Sequence, residues 1–336
     1  MAVNHQVILA EKPRGKLALD NFAFAEAEIP RPADGEVLVK ARYISLDAAN
    51  RAWMQGVTYR AALGAGEVMA GGSLAEVVES RSPNLAPGDL VHAETGWQEY
   101  AAVPGKHLEK LPKVEPLTHL LSVYGVTGLT AYLGLLRVGD PKPGETVVVS
   151  AAAGAVGSIA AQVAKLKGCK VIGVAGGAEK CAWLTDELGL DGAVDYKQGD
   201  VRRALRAACP DGINVYFDNV GGDIFEAALF NMANHGRIVC CGAVSQYDDV
   251  PPAHGPRGVP GLIVTKRLTL RGFVVMDFAA ENEKALANLK AWVEDGRLKA
   301  PEDIIGGLEN LPAALIGLLA GENIGKRMVK VDGSSL

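Results

Sequence analysis

The chain has 336 residues, 34 basic and 39 acidic side chains, a net charge of −5 and 49% hydrophobic residues. This balance excludes a disordered, collagen-like or disulfide-scaffold chain, and at about 100–200 residues per domain it predicts two domains. The negative net charge gives no electrostatic reason to expect a nucleic acid or an anionic membrane as partner.

The opening MAVNHQVILAEKPRGKLALD carries no apolar core of signal-peptide length. No apolar run reaches the roughly 18 residues of a membrane span, LPAALIGLLA at 311–320 coming nearest. The cysteines Cys169, Cys181, Cys209, Cys240 and Cys241 form no CxxC pair and no Cys/His cluster at zinc spacing. That usage predicts reduced thiols in a cytoplasmic protein.

Residues 1–115 read as strands and turns. EVLVKARYISL (36–46) alternates, 67–80 is a strand pair or one long bent strand, and Pro87-Gly88-Asp89 supplies a turn before the strand ending near 93. A helix is predicted at 47–54 with Asp47 as N-cap. From about 119 the texture changes to alternating strand and helix. TVVVS (146–150) is a β-branched run suited to a strand buried on both faces. A helix at 158–168, a strand at 169–175, a helix at 179–189 and a strand at 192–196 follow. Next come a helix at 200–208, a strand at 213–220, a helix at 223–234 and strands at 236–244 and 268–275. A long helix at 281–296 closes the series. This alternation predicts a doubly wound parallel α/β sheet. The Pro/Gly-rich stretch 248–262 reads as a linker or flap. ENIGKRMVKVDG (322–333) reads as a last strand returning to the first domain.

Glycine is in excess, 40 residues in 336, against a usual 7% or so. Its most informative cluster is TVVVSAAAGAVGSIAAQVAKLKG (146–168), where a buried strand enters a small-residue turn and then a helix. Gly154 and Gly157 take the last two positions of a GxGxxG-like pattern, and Ala152 stands at the first. Small residues there let the backbone approach a pyrophosphate that the helix N–H groups accept. A helix packed closely on a sheet without a ligand gives the same pattern. The second strand ends in Ala175-Gly176-Gly177, with no carboxylate for a ribose 2′-hydroxyl and with Lys180 just beyond. This favours a 2′-phosphate and hence NADP(H), although Glu179 would oppose it if turned inward.

LTAYLGLL (129–136), AAAGAVGS, AKLKGCKVIGVAGGAEK (164–180), FDNVGG (217–222), CGAVSQY (241–247), GFVV (272–275) and ENIGK (322–326) together resemble one family. It is the prostaglandin reductase branch of the zinc-independent medium-chain dehydrogenases/reductases, with leukotriene hydroxydehydrogenases, alkenal double-bond reductases and curcumin reductases. The likeness runs from about residue 36 to the end of the chain. It implies a Rossmann doubly wound parallel sheet beside a GroES-like, mostly β domain, with residues 1–120 plus 300–336 forming the latter and 121–299 the NADPH-binding domain.

By the same resemblance Gly154, Ala155, Val156 and Gly157 form the pyrophosphate turn, and Lys180 and Tyr196 hold the 2′-phosphate. Asn219 and the backbone of Cys241, Gly242, Ala243, Val244, Ser245 and Tyr247 contact the ribose and nicotinamide. Phe273, Val274 and Val275 line the nicotinamide, and Asn323 bonds the cofactor from the returning tail. The family usually dimerises through a Rossmann edge, for which LTLRGFVV (268–275) is the candidate.

A catalytic zinc would need Cys, His and a further ligand in the first domain. Residues 1–150 hold no cysteine, and His92 with Glu94 lack a third partner, so no metal is expected. Hydride would then go to the β-carbon of an α,β-unsaturated ketone or aldehyde, and a hydroxyl or water would protonate the α-carbon. Many relatives carry a tyrosine where this chain has Thr265, so Tyr59 is the first candidate donor and Tyr247 the second. The vicinal Cys240-Cys241 pair reads as core filler in preference to a redox pair. The expectation is a cytoplasmic, homodimeric, NADPH-dependent enone or alkenal reductase. A quinone or carbonyl reductase, or a non-catalytic NADPH-binding relative, are the alternatives.

Overall fold

The structure, a computed structural model, describes residues 3–58, 60–248 and 255–331. The chain divides into one unit of residues 1–121, 303–322 and 327–336 and another of 122–302 and 323–326.

The first unit opens with an antiparallel hairpin of β1 (Val3–Leu9) and β2 (Phe22–Glu28), in which Val7 faces Phe24. It continues through β3 (Glu36–Ser45), α1 (Ala49–Gln55), β4 (Ser73–Ser80), β5 (Leu90–Ala93) and β6 (Tyr100–Pro104). The second unit then runs through α2 (Val126–Leu133), β7 (Thr146–Ser150), α3 (Ala155–Leu166), β8 (Lys170–Ala175), α4 (Ala178–Asp186) and β9 (Gly192–Asp195). It goes on through α5 (Val201–Ala208), β10 (Ile213–Asp218), α6 (Gly222–Asn231), β11 (Met232–Cys240), α7 (Val259–Lys266), β12 (Thr269–Gly272) and α8 (Asn282–Glu294). The chain closes with β13 (Glu302–Gly306), α9 (Leu311–Leu319) and β14 (Lys326–Lys330).

In the first unit the sheet order is β13-β14-β3-β4-β5, with β6 also paired to β3. Its core gathers Val7, Leu9, Ile44, Met69, Leu311 and Val329 around Trp97, whose ring stacks on Phe22 at 5.7 Å. The apolar run at 311–320 is thus a core helix, with Leu311 and Leu315 fully buried. Among the described residues no helix is long and apolar enough to cross a membrane.

In the second unit the six strands run in the order β12-β11-β10-β7-β8-β9, and every pairing is parallel. The β-branched run of β7 lies at the centre, as a strand covered on both faces requires. Val147 and Val149 enter one core with Leu133, Ile159 and Val163, and Val148 enters the other with Ile172, Tyr216 and Leu229.

Several local expectations change. Asp47 does not cap α1; Ala48 holds that position, while the Asp47 carboxylate accepts the Ser45 hydroxyl at 2.7 Å. Segment 67–80, read as a strand pair or one long bent strand, makes a single strand from Ser73, and just ahead of it a Cβ on Gly71 would fall 2.9 Å from Trp97 Nε1. α3 starts at Ala155, three residues early, since Gly154 already serves as its N-cap. β11 starts at Met232 through an irregular register that includes His235 at φ 61°. β12 stops at Gly272. The Pro/Gly-rich stretch yields α7 from Val259, with Pro260 in its first turn, where a missing N–H costs nothing.

The central strands are clamped at their amino ends by Arg237 on β11. Its guanidinium forks onto both carboxylate oxygens of Glu145, with Nη1 to Oε1 at 3.0 Å, and its Nε reaches the Gly139 carbonyl at 2.8 Å. Burial would raise the Glu145 carboxyl, but Arg237 and the Lys142 N–H outweigh it and hold the group below its ordinary value. The stability it adds is therefore present above its unfolded-state pKa and lost as pH falls through the lower folded value. Glu145→Gln is expected to lower unfolding free energy at pH 7 by about 1 kcal/mol. Chemical denaturation at pH 7 and pH 4 should show the difference from wild type shrinking in acid.

Candidate functional site

The strand order reverses between β7 and β10, and in open parallel sheets ligands bind outside the carboxyl ends of the strands at such a point. Here those ends are Ser150 and Asp218.

Beyond Ser150 the backbone turns sharply, with Ala151 at φ 47°, a conformation an alanine holds only when its surroundings over-determine it. The Ala151 carbonyl accepts Gly154 N–H at 2.9 Å, and Ser158 N–H returns to the Gly154 carbonyl at 3.0 Å. The N–H group of Ala155 points to the Gly325 carbonyl in a parallel bridge, while those of Val156 and Gly157 have no acceptor among the described residues. They form the positive end of a 12-residue helix. Gly157 is obligatory, for a Cβ there would lie 2.2 Å from the Ala151 oxygen.

The tail segment 323–325 seals one side of this turn. Gly325 N–H donates to the Ala153 carbonyl at 2.8 Å, and Asn323 Nδ2 donates to the Gly325 carbonyl at 2.8 Å. Lys180 Nζ donates to the Asn323 carbonyl at 2.6 Å. The helix turn, Lys180 and Asn323 are thereby brought together across 143 residues of sequence.

At the tip of β8, Gly177 adopts φ 98° and donates its N–H to Asp195 Oδ1 at 2.8 Å. Tyr196 N–H bonds the Ala175 carbonyl at 3.0 Å, and its ring is 38% exposed beside Gly176. Glu179 is on the exposed side of α4.

Past β10 one carboxylate organises the loops. Asp218 is 2% exposed. Its Oδ1 accepts the Tyr216 hydroxyl at 2.7 Å, and Ser150 Oγ, Val220 N–H and Gly221 N–H each at 3.1 Å. Burial raises this carboxyl, and those donors pull it back. Its carbonyl accepts the N–H groups of Cys241 at 2.8 Å and Gly242 at 3.1 Å. Asn219 N–H bonds Ser150 Oγ at 2.8 Å and its Nδ2 bonds the Ser150 carbonyl at 2.7 Å. Ser245 N–H and hydroxyl both bond the Val220 carbonyl, at 3.0 and 2.6 Å, and Val244 N–H bonds Asn219. The stretch Cys241, Gly242, Ala243, Val244 and Ser245 is thus folded onto 218–222. Gly222, at φ 55°, stays small because a Cβ would lie 2.8 Å from Ser245 Oγ.

Tyr247 follows directly, its N–H on the Val244 carbonyl at 3.2 Å. Burial raises its hydroxyl above the ordinary tyrosine value, so it holds its proton at neutral pH. Burial likewise lifts Cys240, and pushes Cys241 up to about 12. Both stay protonated thiols, poor material for a redox pair.

Phe273 packs against the core of the second unit. Its ring stands against Gly134, where a Cβ would fall 2.2 Å from Cζ, and approaches Phe217 at 6.5 Å and Phe278 at 6.2 Å. The ring supports the segment from the core side, leaving Val274 38% exposed and Val275 half-buried. Thr265 donates its hydroxyl to the Gly261 carbonyl on its own helix at 2.9 Å. Tyr59 lies outside the described residues. Among the described residues no group of three or more His, Cys, Asp or Glu is placed to hold a metal ion. Sequence reasoning missed Ser150, Asp218 and Gly325. An acid closing an apolar strand, as in VYFDN, was the available signal for Asp218.

The donor set suits a phosphorylated dinucleotide: free helix N–H groups under small residues, cationic side chains at the β8 tip, and the nearby Asp195 carboxylate engaged by backbone. Comparison with known proteins agrees. Residues 5–111 match the family "N-terminal domain of oxidoreductase" and residues 155–291 match "Zinc-binding dehydrogenase". The chain is 41% identical over 338 residues to the NADPH-dependent curcumin reductase of Escherichia coli, covering 98% of this chain and 97% of that one. It is 44% identical over 316 residues to prostaglandin reductase 1 of Bos taurus, covering 92% and 94%. The crystal structure of CurA from Vibrio vulnificus in complex with NADPH superposes with a TM-score of 0.93 at 39% identity, covering 98% and 99%.

The tightness of the helix turn is open to test. Gly157→Ala is expected to destabilise the protein by about 1–3 kcal/mol through overpacking against backbone. Gly56→Ala, where nothing lies within 4 Å, should change little. Paired thermal melts of the two variants check this.

Proposed function

Because the chain belongs to the medium-chain dehydrogenase/reductase family, among its prostaglandin, curcumin and alkenal reductases, we propose that it reduces the carbon–carbon double bond of an α,β-unsaturated ketone or aldehyde with NADPH. The observation that carries this reading is the first turn of α3 at the strand-order reversal, where the N–H groups of Val156 and Gly157 are left for a pyrophosphate.

Bound NADPH supplies the hydride. The chain's own residues do the rest. Gly154, Ala155, Val156 and Gly157 take the pyrophosphate, and Lys180 and Tyr196 sit at the 2′-phosphate. Asn219 and the 241–245 backbone hold the ribose and nicotinamide end, with Val274 and Val275 beside it. Asn323 both anchors Lys180 and closes the turn. Hydride arriving at the β-carbon moves charge to the carbonyl oxygen, and the α-carbon then needs a proton. Tyr247, a hydroxyl that keeps its proton, is one donor in this reading, and Tyr59 is the other. A tyrosine of ordinary pKa about 10 is a sufficient acid for an enolate.

The same reading includes a cytoplasmic homodimer. β12 is the last strand of its sheet, and an exposed edge calls for cover. Val264, Val274 and Met276 are exposed near it at 73%, 38% and 55%, which favours a second copy of the chain along that edge.

Incubation with NADPH and a cyclic or linear enone should yield the saturated carbonyl. An allylic alcohol, or oxidation only with quinones, would replace this reading with a carbonyl or quinone reductase. Tyr247→Phe is expected to lower kcat by about a hundredfold with NADPH affinity unchanged. Unaltered kcat would transfer the donor role to Tyr59, to be examined by the same substitution.

A further inference from the structure

Lys180 and Tyr196 are two of the side chains at the tip of β8, and a third stands with them. A Cβ built on Gly176 would lie 2.8 Å from Cε of Lys197 and 2.8 Å from Cζ of Tyr196. The aliphatic stem of Lys197 therefore runs across the Gly176 backbone. That is the end of the second strand, where dinucleotide folds that take an unphosphorylated ribose place an acid.

The position of Lys197 is fixed from its own backbone. Its N–H donates to Asp195 Oδ1 at 2.9 Å, the oxygen that also accepts Gly177 N–H at 2.8 Å. One carboxylate oxygen thus joins the tips of β8 and β9 and sets Lys197 beside Gly176. Oδ1 of Asp195 is taken up by these backbone donors, while its Oδ2 has no hydrogen-bond partner among the described residues. The Lys197 charge helps those donors to hold this carboxyl low without closing to an ion pair. The Lys197 side chain is exposed. Lys180 is differently placed, with its ammonium already donating to the Asn323 carbonyl at 2.6 Å. An ammonium on a flexible stem, next to a glycine that leaves room for both stem and ligand, suits a doubly charged phosphate.

We propose that Lys197 determines specificity for the phosphorylated cofactor by bringing a second ammonium, beside that of Lys180, to the ribose 2′-phosphate. The inference rests on the reading that NADPH is the cofactor.

Isothermal titration calorimetry on the full chain tests it without turnover. Wild type, Lys197→Gln and Lys197→Arg would be titrated with NADPH, NADH, adenosine 2′,5′-bisphosphate and adenosine 5′-monophosphate. Lys197→Gln is expected to weaken NADPH and the bisphosphate by about tenfold, to leave NADH and the monophosphate within twofold, and to be rescued by Lys197→Arg. Circular dichroism confirms that the variants fold. If wild type prefers NADPH and Lys197→Gln keeps the whole preference, this inference is overturned and the cofactor reading stands. If wild type itself shows no preference for NADPH, the cofactor reading falls and takes the inference with it.

Discussion

The buried carboxylate of Asp218 is the constraint on which the site in the second unit depends. A carboxylate removed from water is costly unless hydrogen bonds replace its hydration, and among the described residues Asp218 makes no ion pair. Four groups carry that burden: the hydroxyls of Ser150 and Tyr216 and the N–H groups of Val220 and Gly221. Each donor belongs to a segment that must be placed correctly if the others are. Ser150 ends the strand that enters the helix turn, Tyr216 is on β10, and Val220 and Gly221 begin the next loop. The carbonyl of the same residue takes Cys241 and Gly242. Cys241 and Gly242, two of the candidate cofactor contacts, are thereby registered against the same residue whose carboxylate fixes the strand ends.

Around that hub the chain uses smallness where a ligand must come close. Gly157 lets α3 lie on the Ala151 carbonyl, Gly176 admits the Tyr196 ring and the Lys197 stem, and Gly222 admits Ser245. The charge follows the same economy. Asp195, the carboxylate nearest the β8 tip, is turned onto two backbone N–H groups and held below its ordinary value, first by Gly177. Cationic side chains are left to face the position where a second-strand acid would select an unphosphorylated ribose.

Much of the second unit was legible because its signals are local. A β-branched run predicts a central strand, a small-residue turn after it predicts a helix N-terminus, and strand–helix alternation predicts the parallel sheet. Misreadings arose where a side-chain contact or packing outweighs the local pattern. Asp47 has the composition of an N-cap, yet Ser45 takes its carboxylate. The stretch 248–262 reads as a linker or flap by its prolines and glycines; residues 249–254 lie outside the described residues, and from Val259 the chain is α7, which packs Val259, Leu262 and Ile263 on the core.

The sequence by itself determined the fold class, the location of the small-residue turn that starts α3 and the absence of an acid at the end of the second strand. Each of these is a property of neighbouring residues, set by periodicity, steric size or charge within a few positions. Only tertiary structure decided that Asp218 would be the shared acceptor, that Asn323 would hold Lys180, and that Lys197 would cross Gly176. Those outcomes depend on which strand ends meet. Hydrogen bonds and close contacts between such ends act over about 3 Å, a range that carries no trace in a linear pattern when the partners belong to different segments, as Ser150 and Asp218 do 68 residues apart and Lys180 and Asn323 do 143 apart.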